Sequence, residues 1–222
     1  MSSNGHTNVA VLESTWFQHK NTSVRGLFEL IADINCDNPH SYNYEMANSE
    51  VALKEVIPRI ASYRKCKYLY FAMHGNENGL QLLNKERMSR AELRNLLAKV
   101  KKQPGSQLSG IFLGSCLFGT EKLAEFIFSG DVGINWIAGY SEEVDWVKSS
   151  ALDLLFFNEL ISGDDGSEIA RINRTAEDLL DTAPGLVRNL GFGIYTRKRG
   201  GGIKNLLATA YVDEPEYLDE LA

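Results

Sequence analysis

Metal-binding patterns are missing from this chain. Its four histidines, His6, His19, His40 and His74, are scattered without an HxxxH or HxxE spacing, and its three cysteines, Cys36, Cys66 and Cys116, show no CxxC pair. A zinc site is thereby excluded as an expectation, and an odd number of cysteines argues against a disulfide framework. No apolar run approaches the roughly 20 residues that span a bilayer. The opening Met1-Ser2-Ser3-Asn4-Gly5-His6 has neither the basic start nor the apolar core of a signal peptide, so a cytoplasmic location is the expectation. Basic residues form one small cluster, Arg197-Lys198-Arg199, too isolated to track phosphates. The Gly200-Gly201-Gly202 run beside it lacks the Walker Lys-Ser/Thr pair and the GxGxxG spacing. No cofactor, nucleic acid or membrane partner is implied.

What is present is ordinary for a globular protein: 222 residues, 44% hydrophobic and 23% charged, with a net charge of −6. That length suits one large α/β domain over 1–222, with a core at about 9–161, further elements over 163–212 and an acidic tail at 213–222. Apolar runs at Val9–Leu12, about 67–73, 110–115 and Trp136–Tyr140 read as buried strands. Helical spacing predicts helices over roughly 23–33, 49–63, 89–101, 120–129, 148–161 and 167–180, with Pro58 breaking or kinking the second. Ser41–Glu45 and Gly191–Tyr195 read as strands, and Gly75–Gly79 as a loop before a short strand at Leu80–Leu83. Strands alternating with helices predict a mostly parallel central sheet with helices on both faces.

Two short segments carry the chemistry. Tyr68-Leu69-Tyr70-Phe71-Ala72 runs into Met73-His74-Gly75, and Ile111-Phe112-Leu113 runs into Gly114-Ser115-Cys116. In a parallel sheet all strands exit at one edge, where such folds place their ligands. His74 and Cys116 can therefore face each other across 42 residues of sequence. A thiol beside an imidazole suffices for covalent acyl transfer, and the backbone N–H groups of Gly75 and Cys116 are the natural oxyanion donors. Taken singly, a strand-end Cys is more often core and a His before Gly more often a loop residue. Their joint occurrence among small residues (Gly75, Gly114, Ser115, Gly119) favours a site. No third triad member is identifiable.

A strand ending His-Gly followed by one ending Gly-Ser-Cys resembles the caspase-like (clan CD) cysteine peptidases. The segments Ala72–Gly75 and Leu113–Gly119 are most similar to the bacterial CHAT-type branch. The caspase Gln-Ala-Cys-x-Gly signature is absent. The resemblance implies a caspase-like three-layer sandwich and endopeptidase activity through a Cys116–His74 dyad without a catalytic metal. It also implies a protein or peptide substrate and a regulatory protein partner, in settings such as bacterial defence or programmed death. In that fold the pocket for the P1 side chain lies among the ends of the first strand, the Cys strand and the next one. Those ends offer Glu13, Ser115, Ser141, Glu142 and Asp145 without a Lys or Arg, which points to a basic P1 residue. Trp146 or Tyr140 could equally wall a pocket for a neutral one. Two other readings stay open: a catalytically silent interaction module, and a Cys acyltransferase on a flavodoxin-like sheet.

Overall fold

A computed structural model describes residues 5–17, 19–83, 85–130, 132–163 and 166–211; the acidic tail expected at 213–222 lies outside them. Chain order is β1 (Val9–Glu13), α1 (Arg25–Cys36), β2 (Asn43–Met46), α2 (Glu50–Ala61), β3 (Tyr68–Ala72) and a hairpin region β4 (His74–Asn76), β5 (Gly79–Gln81), β6 (Arg87–Ser89). Then come α3 (Arg90–Lys101), β7 (Gly110–Leu113), α4 (Glu121–Phe128), β8 (Trp136–Tyr140), α5 (Trp146–Ser162), α6 (Glu168–Thr182), α7 (Pro184–Asn189), β9 (Phe192–Arg197) and β10 (Ile203–Asn205).

Seven strands form one sheet in the order β10-β9-β8-β7-β3-β1-β2. The β2-β1, β1-β3, β3-β7 and β7-β8 pairs are parallel, whereas β9 runs antiparallel to both β8 and β10. The central strands are buried along their whole length, because helices cover both faces. Alternate side chains divide between two cores. Leu12, Leu69, Phe71, Ile111 and Leu113 pack with α2, α3 and α4, while Val11, Tyr70, Phe112, Trp136 and Tyr140 pack with α1, α5, α6 and α7. The result is the mostly parallel three-layer α/β sandwich read from the strand–helix alternation.

Local signals set most boundaries. Ser49, Ser89, Thr120, Asp145 and Ser167 each cap the helix that follows with a side-chain oxygen, and Ser89 with Glu92 completes a capping box. Pro58 does not break α2. It sits near the helix end, and the carbonyl it cannot serve belongs to exposed Lys54, within reach of water. The segment 75–79 is not a free loop: β4, β5 and β6 form a small antiparallel sheet, its turn tightened by the Asn78 N–H donating to Asn76 Oδ1 at 2.9 Å.

The sheet order places the site. From β1 the chain moves outward to β2, then crosses back past β1 to β3, β7 and β8. The strand order thus reverses between β1 and β3, and the crevice outside their carboxyl ends is where an open α/β sheet accepts a ligand.

Candidate active site

At that crevice a cavity of about 310 Å³ is lined by Trp16 and Phe17 after β1, His74 after β3, Gly114 and Cys116 after β7, and Val144, Asp145 and Trp146 after β8. Tyr70, Tyr140 and Asp153 form its base. The structure therefore brings His74 and Cys116 to one cavity, as their common position at strand exits predicts.

Close backbone approach makes this possible. A Cβ added at Gly75 would lie 2.7 Å from the Cys116 carbonyl oxygen and 2.9 Å from Ser115 Cβ, so only glycine fits there. At Gly114 the same atom would overlap the Tyr70 hydroxyl. Directly after Cys116, Leu117 takes φ of 60°, a left-handed conformation that costs a non-glycine residue on the order of 1–2 kcal/mol. The Leu117 N–H donates to the Glu142 carbonyl, tying this turn to the segment after β8.

His74 is oriented by backbone. Its Nε2 lies 2.9 Å from the Trp16 carbonyl oxygen. A carbonyl only accepts, so Nε2 carries the proton and Nδ1 is left as the basic nitrogen. The Trp16 and Phe17 rings meet the imidazole edge-on at 5.1 and 5.7 Å, and Trp16 meets Trp146 in the same way at 5.0 Å. No sequence signal could have revealed this partner, because any residue type supplies a carbonyl.

The residues expected to form the P1 pocket divide. Asp145 lines the cavity, with Oδ1 also accepting from the Val147 and Lys148 N–H groups at the start of α5. Glu13 does not reach it. It is fully buried, and Oε1 accepts from Trp16 Nε1 and the Val24 N–H while Oε2 accepts from Ser23 Oγ and the Tyr44 hydroxyl. A buried carboxylate must have its oxygens satisfied, and here the neighbouring loop does so. Ser115 is buried outside the cavity lining. Ser141 lines a separate cavity with Glu77, Arg90 and Lys122, and donates to the Gly191 carbonyl. Glu142 lies exposed beside Gly191.

Asp153 is the acid that sequence reasoning missed. It projects from α5 and is 3% exposed, with Oδ2 accepting from the Tyr70 hydroxyl and Oδ1 from the Tyr140 hydroxyl, each at 2.5 Å. Burial raises its carboxyl from 3.8 to about 7, although both tyrosine hydrogen bonds pull the other way. A signal existed: Asp153 falls in the same helical stripe as Leu152, Phe156, Phe157 and Leu160, and an acid on a buried face is uncommon. Elsewhere, burial pushes the Cys66 thiol up to about 12, which leaves it inert, as a core cysteine should be. Among the described residues no three His, Cys, Asp or Glu side chains converge as a metal site requires, and no helix is long and apolar enough to cross a membrane.

The parallel-centred three-layer sandwich is consistent with the caspase-like fold. Among solved structures the chain is similar to a secreted C11 cysteine protease from Bacteroides thetaiotaomicron, studied in complex with an irreversible peptide inhibitor. The TM-score is 0.54 at 12% identity; the match covers 85% of this chain and 65% of that protease, and at this identity it speaks to the fold. No family model and no curated protein matches the chain.

Proposed function

We propose that this chain is a cysteine endopeptidase with Cys116 as nucleophile and His74 as base and then acid. The observation that carries the reading is that both line one cavity, with the Nε2–H of His74 held by the Trp16 carbonyl and Nδ1 left to act. Sγ of Cys116 attacks the peptide carbonyl carbon while its proton passes to Nδ1. The oxyanion is met by the N–H groups of Gly75 and Cys116. Nδ1 then protonates the leaving amine, the C–N bond breaks, and a thioester remains on Cys116. Water hydrolyses it with His74 again as base, returning the thiol.

A basic P1 residue suits the cavity. Its lining holds Asp145 and Asp153 and no Lys or Arg, and the indoles of Trp16 and Trp146 offer faces for a guanidinium or ammonium stem. Asp153 becomes the main acidic determinant in place of Glu13. The motif resemblance further suggests a CHAT-like cytoplasmic enzyme released by a protein partner, as in defence systems. The test is cleavage of a mixed P1 peptide library by wild type and Cys116→Ala, with and without candidate partners. Cleavage after Arg or Lys that is lost in the variant supports the reading. Silence of the wild type, together with a Cys116 that iodoacetamide does not alkylate, would favour an interaction module instead.

A further inference from the structure

Residues 14–17 leave β1 and residues 19–23 lead into α1 around a single carboxylate. Glu13, the last residue of β1, receives donors from both ends of this loop: the Trp16 indole N–H at 2.8 Å near its start, and Ser23 Oγ at 2.6 Å and the Val24 N–H at 3.0 Å at its end. A fourth donor, the Tyr44 hydroxyl at 2.5 Å, comes from β2. The Tyr44 hydroxyl is pushed up to about 12 by burial and by this bond, so it remains a donor. All four lone-pair positions of the carboxylate are thus occupied in a fully buried setting.

The loop so closed is the one whose Trp16 carbonyl accepts from His74 Nε2 and whose Trp16 ring packs on the imidazole edge. A second anchor holds its start: Asn48 Oδ1 accepts from the Thr15 N–H and from Ser14 Oγ. That anchor fixes the backbone one residue before Trp16 but makes no hydrogen bond to the indole. Ring contacts with Trp146 and His74 flank the indole, and among the described residues its N–H is held by Glu13. We infer that Glu13 is a positioning residue for the dyad, acting through Trp16 to keep His74 with its proton on Nε2 and Nδ1 free as the base.

The four donors are of two kinds, and this makes the inference specific. Those on Oε1, from Trp16 and Val24, are N–H groups that can only donate, whereas those on Oε2, from Ser23 and Tyr44, are hydroxyls that can turn and accept. Glutamine therefore fits the site with its oxygen toward the N–H pair and its amide toward the hydroxyls. The tether needs an acceptor and does not need the charge.

This inference rests on the peptidase reading only for the meaning of His74, so its test includes a readout that needs no substrate. Long-range 15N–1H spectra of the imidazoles report the His74 tautomer directly. Wild type and Glu13→Gln should both show the Nε2–H form, and their Cys116 alkylation profiles against pH should agree within about threefold. Glu13→Leu and Trp16→Phe should both lose the single tautomer. If the peptidase reading holds, kcat in these two should fall by up to ~100-fold, the scale of a misplaced catalytic group. Trp16→Phe keeps an aromatic ring and the backbone carbonyl but removes the indole N–H, so it provides the readout even if Glu13→Leu fails to fold. An unchanged His74 tautomer in Trp16→Phe would overturn the inference, because Asn48 would then suffice. A Glu13→Gln protein with a disordered His74 would overturn it too, by showing that charge and not the tether matters. Absence of any peptidase activity in wild type would defeat the proposed function while leaving the spectra to decide this point.

Discussion

Replacing Asp153 by asparagine isolates the acid at the base of the cavity. In the folded chain burial holds its carboxyl at about 7, against 3.8 for an ordinary aspartate. Below pH 4 both folded and unfolded chains carry the proton, and the group makes no pH-dependent demand. Above that the unfolded chain releases its proton while the folded one retains it, so folding becomes less favourable as pH rises. The loss accumulates until the folded acid also ionises near pH 7, and then levels. From 3.8 to about 7, at ~1.36 kcal/mol per pH unit, the total is about 4 kcal/mol. The asparagine amide does not titrate; its oxygen can accept from one tyrosine and its NH2 donate to the hydroxyl oxygen of the other, so both contacts persist. Urea unfolding of wild type and Asp153→Asn across this pH range cancels every other titrating group. The advantage of Asp153→Asn should widen by about 4 kcal/mol between pH 4 and 7 and then stay level. A difference that does not change with pH would refute burial as the cause.

On the proposed basic-P1 reading, the ratio of kcat/KM for an Arg-P1 substrate to that for a neutral-P1 substrate should climb as pH passes through about 7, because the ionised carboxylate of Asp153 favours the cation. The ratio removes the titration of the dyad, and a flat ratio would count against Asp153 as the P1 acid. Gly75→Ala places a Cβ 2.7 Å from the Cys116 carbonyl oxygen, so turnover should drop at least tenfold while the circular dichroism spectrum is kept; a fully active variant would show that the two strand exits are not packed so closely. Ser89→Ala removes the side-chain half of the α3 capping box and should lower stability by ~1 kcal/mol with activity unaffected, as read by urea midpoint and peptide cleavage.

How far the sequence reached differs between the fold and the site. Every central strand was legible, because strands covered on both faces must be continuous apolar runs, and Tyr68–Ala72, Gly110–Leu113 and Trp136–Tyr140 are such runs. Helix starts were legible at Ser49 and Ser89, where capping oxygens precede apolar stripes. The short pieces were less so: β5 was read one residue late, as Leu80–Leu83, while α7, β10 and β4 are too brief for periodicity to register and form because neighbours already in place pair or pack with them.

By itself, the sequence determined an α/β sandwich with His74 and Cys116 at the exits of two buried strands, since hydrophobic run length and strand polarity are local properties. Only the tertiary structure decided what surrounds them. It ordered the strands so that the reversal falls between β1 and β3, and it drew the Trp16 carbonyl to His74 across 58 residues. It also buried Glu13 under a loop and set Asp153 beneath the cavity. A carboxylate's role depends on which donors and how much water reach it, and those are fixed by distant parts of the chain that sequence spacing does not encode.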